Sequence, residues 1–110
     1  MKLECAGSIG SADVSSEDII QAFADDKGRG EFIILAQSDQ VYIQAYGEGD
    51  DPFLVEYRDG DANHHFHSVD DQAKVMVQSL FLKYLDQDAS WKTDIEWEQE
   101  EQQKPWWKFW

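Results

Sequence analysis

Hydrophobic and polar residues along this chain follow first the period of a helix and then the period of extended strands. Ile19, Ile20 and Phe23 have the spacing of residues on one face of a helix. Hydroxyl and acidic residues at 15–18 precede them, and such side chains cap the free N–H groups at a helix start. The pattern therefore predicts a short first helix over residues 16–26, which depends on packing for its stability.

From residue 31 onward the pattern becomes that of strands. Segment 31–37 is apolar on both faces, which is typical of a central strand, whereas segments 40–46 and 52–58 alternate. Asp59-Gly60 is a strong hairpin signal, and segment 62–68 then returns as a fourth strand. Short turns join these segments, so they predict an antiparallel meander.

A second helix is predicted over residues 70–86, with Asp70 as its N-cap and an apolar stripe that faces the core. Residues 91–97 alternate weakly and predict a last strand or an extended arm. The sequence thus predicts an α+β fold, an antiparallel four- to five-stranded meander sheet packed with two helices (α-β-β-β-β-α plus a C-terminal arm). The expected core positions are Phe32, Ile34, Val41, Ile43, Val55, Met76, Leu80 and Phe81.

The length of 110 residues corresponds to a single domain over 1–110, in which 99–110 is a polar connection followed by an aromatic C-terminal tail. All five tryptophans lie in the last twenty residues. Exposed, the tail would be an aggregation or interaction site, and packed it would bury a large area. We expect Trp106 and Trp107 to be buried on the same chain or on a second copy, which makes the protein a monomer or a homodimer.

The charge balance excludes several classes of partner. The chain has 23 acidic and 9 basic residues and a net charge of −14, which argues against binding to the phosphates of nucleic acid. No apolar run is long enough for a membrane span, and we expect no membrane partner. The single Cys5 cannot form an internal disulfide. These features predict a cytoplasmic protein.

The sequence contains no convincing catalytic constellation. Cys5 has Lys2 as its only basic neighbour, and no serine stands in a Gly-x-Ser-x-Gly elbow. Carboxylates are so abundant that a pair of them carries no catalytic signal. We therefore expect no enzymatic activity and no cofactor.

Three histidines at 64, 65 and 67 raise the question of a metal. On a strand His65 and His67 point the same way, so two imidazoles could share an ion. A zinc site requires at least one further ligand, and Cys5 or a carboxylate would have to arrive from elsewhere in the chain. The alternative is that Phe66 and His64 pack while His65 and His67 face water, and on the sequence alone we expect no metal.

The acidic residues are more informative once they are placed on the meander, because alternate connections of an up-and-down sheet lie at the same end. Seven acids from the connections are expected to cluster at one end: Asp25, Asp26, Glu48, Asp50, Asp51, Asp70 and Asp71. One interpretation is that turns and helix caps are simply polar. The other is a surface that steers a basic protein partner, with tyrosines such as Tyr46 as anchors or else as core residues.

The chain also resembles a known group of proteins. Phe32-Ile-Ile-Leu-Ala-Gln, Tyr42-Ile-Gln-Ala and Phe53-Leu-Val-Glu-Tyr-Arg-Asp-Gly, followed by a helix and an end with Trp91 and Trp97, resemble small immunity proteins of bacterial polymorphic toxin systems. The resemblance covers residues 31–98. It implies a cytosolic inhibitor that binds and occludes a cognate toxin domain, often through an acidic surface. Two alternatives stay open: an acidic nucleic-acid mimic that inhibits a basic protein, and a non-catalytic structural or interaction module.

Overall fold

A seven-stranded antiparallel sheet organises residues 1–100, the part of the chain that this computed structural model describes. Its strands are β1 (Lys2–Cys5), β2 (Gly10–Ser11), β3 (Phe32–Ser38), β4 (Val41–Tyr46), β5 (Leu54–Asp59), β6 (His65–Ser68) and β7 (Trp97–Gln99). Their spatial order is β2-β1-β3-β4-β5-β6-β7. The α+β class is confirmed, but the prediction of four to five strands is wrong.

The additional strands are short, and long-range pairing holds them in place. Leu3 of β1 lies opposite Leu35 of β3, so the N-terminal segment makes β3 an interior strand. At the other edge Trp97 lies opposite Ser68. Segments of two to four residues have too little periodicity to be recognised alone, because most of their stability comes from the strands beside them.

Four α-helices are present among the described residues where the sequence predicted two: α1 (Ser16–Ala24), α2 (Asp26–Arg29), α3 (Lys74–Leu85) and α4 (Trp91–Asp94). The predicted cap of the first helix is confirmed. Ser15 accepts a hydrogen bond from the Asp18 backbone N–H, and the Asp18 carboxylate accepts one from the Ser15 backbone N–H. This reciprocal pair satisfies two N–H groups that the helix itself cannot pair.

The prediction that Asp70 caps the second long helix is wrong. Helix α3 begins at Lys74, and its N-cap is Ala73, which makes no side-chain cap hydrogen bond. The reason is that Gln72 and Phe53 exchange two backbone hydrogen bonds of 2.8 Å, which keeps the chain extended as far as residue 72. Asp70 and Asp71 therefore lie in the exposed connection before the helix.

The hydrophobic core lies between one face of the sheet and the helices. Ile43, Val55, Leu80 and Phe81 are fully buried there, as predicted. The Phe23 ring of α1 meets the Phe81 ring of α3 edge-on, with the centroids 5.5 Å apart. In this way the two longer helices pack on each other, and α3 also packs on β4 of the sheet.

Four other residues predicted for the core are only half-buried: Phe32, Ile34, Val41 and Met76. In β3 the buried residues are Ile33 and Leu35, and Phe32 and Ile34 alternate with them onto the opposite face of the sheet. None of the described helices covers that face, which we call the open face. A strand that is apolar on both sides thus has only one side in the core.

An aromatic cluster closes the core near the end of the described chain. Trp91 of α4 and Trp97 of β7 both meet the Tyr57 ring edge-on, at centroid distances of 4.8 and 4.7 Å. Gln99 belongs to β7, and the Glu100 backbone N–H donates to the His65 carbonyl at 2.9 Å, so the first two residues of the expected connection extend the sheet. The predictions for Trp106 and Trp107 concern residues outside the described part of the chain.

None of the helices within residues 1–100 has the length and apolar character needed to span a membrane.

Candidate protein-binding surface

One end of the sheet gathers the connections that carry the predicted acidic residues. Strand pairing aligns Phe32, Tyr46 and Leu54 at this end, and the Phe53–Gln72 bridge brings the β6–α3 connection beside them. We call the acids of these connections the acidic pole: Asp25, Asp26, Glu48, Asp50, Asp51, Asp70 and Asp71. The segments that hold all seven of them converge at this one end of the fold.

Lys74 joins two parts of the acidic pole. Its ammonium group lies 3.0 Å from the carboxylate of Asp26 and 3.0 Å from that of Asp50. The hydrogen bond from Lys74, and then the one from Arg29, lowers the pKa of Asp26. The hydrogen bonds to Asp50 and to Asp26 raise the pKa of Lys74 in turn. The charges of Asp26 and Asp50 are therefore partly balanced within the protein.

Arg29 fixes the backbone beneath the acidic pole. Its side chain is fully buried, and its guanidinium donates to the carbonyls of Ala22, at 3.0 Å, and of Gly49, at 3.3 Å. It also lies over the rings of Phe23 and Phe53, at 5.7 and 5.3 Å from their centroids. Arg29 thus connects α1, α2 and the β4–β5 loop. The pattern of hydrophobic and polar residues does not indicate this role, because the burial of a basic residue leaves no periodic signal.

The acids of the pole fall into two groups. Asp25 caps α2 by accepting a 3.0 Å hydrogen bond from the Gly28 N–H, so it has a structural role like Asp26 and Asp50. Glu48, Asp51, Asp70 and Asp71 form the second group. These four are exposed, and within residues 1–100 no basic side chain pairs with their carboxylates. The second group is therefore the part of the pole that is available to a partner.

An apolar patch on the open face adjoins the acidic pole. Tyr46 and Leu54 lie opposite each other on β4 and β5, with 43% and 37% of their surface exposed. The Phe32 ring lies beside Tyr46, with the ring centroids 6.4 Å apart. We call these three residues the aromatic patch. Tyr46 leads directly into the loop of Glu48, and Leu54 follows Phe53, whose backbone pairs with Gln72 next to Asp71. The patch and the unpaired acids therefore adjoin at this end of the sheet and form one continuous surface.

The centre of the open face carries a polar network around Glu56 and Arg58, which lie two residues apart on the same face of β5. The Glu56 carboxylate accepts a 2.8 Å hydrogen bond from the Gln44 amide and lies 3.1 Å from His65 Nε2. Arg58 donates through Nε to His65 Nδ1 at 3.1 Å and through Nη1 to Gln40 at 2.9 Å. His65 is buried and His64 is exposed, the reverse of the alternative in which His64 packs and His65 faces water, because the His65 ring bonds to Arg58 and Glu56. Such cross-strand partners could be found only from the register, which the alternation along each strand does not define.

The thiol of Cys5 is not a reactive nucleophile. Cys5 is buried on the core face of β1. Burial raises the pKa of its thiol to about 11, because a thiolate would lose its hydration there, and the nearby Arg29 charge offsets only part of that effect. At neutral pH the group stays protonated, so it lacks the thiolate that nucleophilic catalysis requires.

Comparisons of the chain with protein-family models, with curated proteins and with solved structures found no match.

Proposed function

We propose that this protein is an immunity-type inhibitor that binds and occludes the basic surface of a toxin domain in the cytoplasm. The observation that carries the proposal is the continuous surface formed by the aromatic patch and the four unpaired acids of the acidic pole. The resemblance of residues 31–98 to immunity proteins supplies the class of partner. The geometry supports the proposal because an exposed apolar patch adjoins carboxylates that have no basic partner within residues 1–100.

The two parts of this surface have different physical tasks. A net charge of −14 with unpaired carboxylates at one end attracts a basic protein over long distances and raises the rate of encounter. Exposed charges add little to the final affinity, which in most interfaces depends on a few desolvated aromatic anchors. Tyr46 is such an anchor, since its ring is exposed and lies between Phe32 and Leu54.

Affinity capture from the source cells tests the proposal. The bait is the full chain in three forms: wild type, a pole variant with Glu48→Lys, Asp51→Lys and Asp71→Lys, and a charge-matched control variant with Asp13→Lys, Asp39→Lys and Asp86→Lys. Asp25, Asp26 and Asp50 are left unchanged, because they cap α2 or pair with Lys74. Wild type and control variant are expected to retain one basic protein that the pole variant does not.

The activity of the captured protein then decides its class. We expect it to be toxic when produced alone in cells, and to be neutralised by the wild-type inhibitor but much less by the pole variant. A captured nucleic-acid-binding protein that DNA or RNA displaces from the bait would contradict the immunity role and identify a nucleic-acid mimic. Equal capture by the pole and control variants would show that the acidic pole is not the binding surface.

A further inference from the structure

We propose that the open face carries a binding site for a borderline divalent metal ion such as Zn²⁺, formed by Glu56 of β5, His65 of β6 and Glu100 after β7. The ligand atoms of these three side chains all lie within 4.8 Å of one another. The sequence argued against a metal because no third ligand was visible beside the histidines. The sheet brings two carboxylates to His65 from the strands on either side of it.

The distances within this cluster agree with the size of a tetrahedral site. Ligands at about 2.1 Å from a tetrahedral zinc ion lie about 3.4 Å from each other. His65 Nε2 is 3.1 Å from the Glu56 carboxylate and 3.7 Å from that of Glu100. The carboxylate oxygens of Glu56 and Glu100 lie within 4.8 Å of each other, so an ion would draw these two side chains together around His65. His67 lies beside the cluster but outside it, with its Nδ1 3.8 Å from the other Glu100 oxygen, so the fourth position is open to water.

The donor set indicates which ions would bind. One imidazole with two carboxylates suits Zn²⁺, Co²⁺, Ni²⁺ or Cu²⁺, whereas Mg²⁺ prefers six oxygen ligands in octahedral geometry. The low exposure of His65 and Glu56, 7% and 17% of their side chains, limits competition from water. The site lies across β5, β6 and the end of β7. A bound ion would therefore link these three strands at this edge of the sheet.

The hydrogen bond from Arg58 to His65 opposes metal binding. A guanidinium has only donors, so the 3.1 Å contact from Arg58 Nε makes His65 Nδ1 an acceptor. The proton of neutral His65 then sits on Nε2, directed at Glu56. Coordination through Nε2 requires that proton to leave and Nδ1 to take one up, which displaces the Arg58 contact. Metal and Arg58 thus compete for His65.

Titration of the purified full chain with zinc chloride, followed by calorimetry and by the NMR signals of the histidine rings, tests the site. We expect one Zn²⁺ per chain, no response to magnesium chloride, and movement of the His65 ring signals. Glu100→Gln, an exposed and conservative change, is expected to weaken Zn²⁺ binding at least about tenfold, and Glu56→Gln at least as much. Arg58→Gln is expected to strengthen Zn²⁺ binding, because the amide oxygen of the introduced glutamine can accept a hydrogen bond from His65 Nδ1–H.

His64→Gln is the matched control, because His64 is an exposed neighbour that pairs with Asp61 instead of joining the cluster. Its Zn²⁺ affinity is expected to equal that of wild type. Absence of saturable Zn²⁺ binding, or equal affinity of wild type and both glutamate variants, would overturn the site. Loss of Zn²⁺ binding in His64→Gln would also overturn the site, since the ion would then be bound by the exposed histidines. Unchanged or weaker binding by Arg58→Gln would refute the competition with Arg58.

Discussion

Arg29 shows how a single residue determines the shape of the acidic pole. It is the largest side chain that the fold buries completely, and it replaces water by three backbone carbonyls, the Asp26 carboxylate and two aromatic rings. A charge in such a place stabilises the fold only while these partners are present. Arg29 holds the β4–β5 loop, which presents Glu48 and Asp51, against α2 from inside the fold, and Lys74 joins the same two segments at the surface.

Replacement of Arg29 by methionine is expected to lower the free energy of unfolding by about 3 kcal/mol, because hydrogen bonds from a charged donor and their buried acceptors are lost together. Arg29→Lys should lose less, since it keeps the charge but not the planar set of donors. Urea unfolding measures both. Lys27→Met, an exposed neighbour on α2, is the control and should change the free energy by less than about 0.5 kcal/mol. A similarly small loss for Arg29→Met would contradict its structural role.

The ion pair of Asp26 and Lys74 should make stability depend on pH. The pKa of Asp26 is lowered from 3.8 in the folded protein, mainly by Lys74 and then by Arg29, so its contribution is complete above pH 3.8 and is lost as the pH falls through the lowered value. The pKa of Lys74 is raised from 10.5, so its contribution is complete below pH 10.5 and is lost as the pH rises through the raised value.

At neutral pH we therefore expect Asp26→Asn to be less stable than wild type, with a difference that shrinks as the pH falls below 3.8. Urea unfolding across this pH range measures it. Lys74→Met and the double variant complete a double-mutant cycle, in which the two losses should not add, because they remove the same interaction. If the difference in unfolding free energy between wild type and Asp26→Asn stays constant with pH, the ion pair of Asp26 and Lys74 is not its cause.

Helix α3 packs on the core through the apolar stripe that the sequence predicted, although its start was wrong. Its apolar stripe predicted that Leu80 is in the core, and Leu80 is fully buried. We expect Leu80→Ala to cost about 2–5 kcal/mol of unfolding free energy, because it removes buried methyl groups and leaves a cavity. Val75→Ala on the same helix is the control: Val75 is 78% exposed, and its loss should be less than about 0.5 kcal/mol. A loss below that limit for Leu80→Ala would mean that another face of α3 packs on the sheet.

The sequence predicted those elements whose signal lies within their own residues. The four strands β3 to β6 and the helices α1 and α3 follow from periodicity, a cap and the Asp59-Gly60 hairpin signal. β1, β2 and β7 were missed or left open, since each depends on a neighbour distant in sequence. The start of α3 was wrong for the same reason: the pairing of Gln72 with Phe53 overrides the cap that Asp70 offers locally.

The same distinction applies to the candidate surface. Because strand order follows from the meander, the sequence could place seven acids at one end without knowing a single contact. It could not separate the acids with structural roles from the unpaired ones, because Lys74 reaches Asp26 and Asp50 from a helix far along the chain. The sequence also could not predict that Phe32 is only half-buried on the open face, since an apolar residue in an interior strand is expected in the core.

At the scale of the whole molecule, the two faces of the sheet differ in what covers them. The helices and the aromatic cluster of Tyr57, Trp91 and Trp97 complete the core on one face. Within residues 1–100 no helix covers the other face, where the aromatic patch, the polar network of Glu56 and His65, and the adjoining acidic pole lie. A sheet with one structural face and one face free for contacts is well suited to an inhibitor that acts by occlusion.

The association rate between this protein and the basic partner obtained by capture, measured from low to high salt, tests the central claim most directly. With wild type and the control variant, association should be fast at low salt and slow steeply as salt is added, because the acidic pole steers the encounter. With the pole variant, association at low salt should be at least about tenfold slower and depend less on salt. Association of the pole variant at the wild-type rate in low salt would contradict the account, since the acidic pole would then be only a solvated surface.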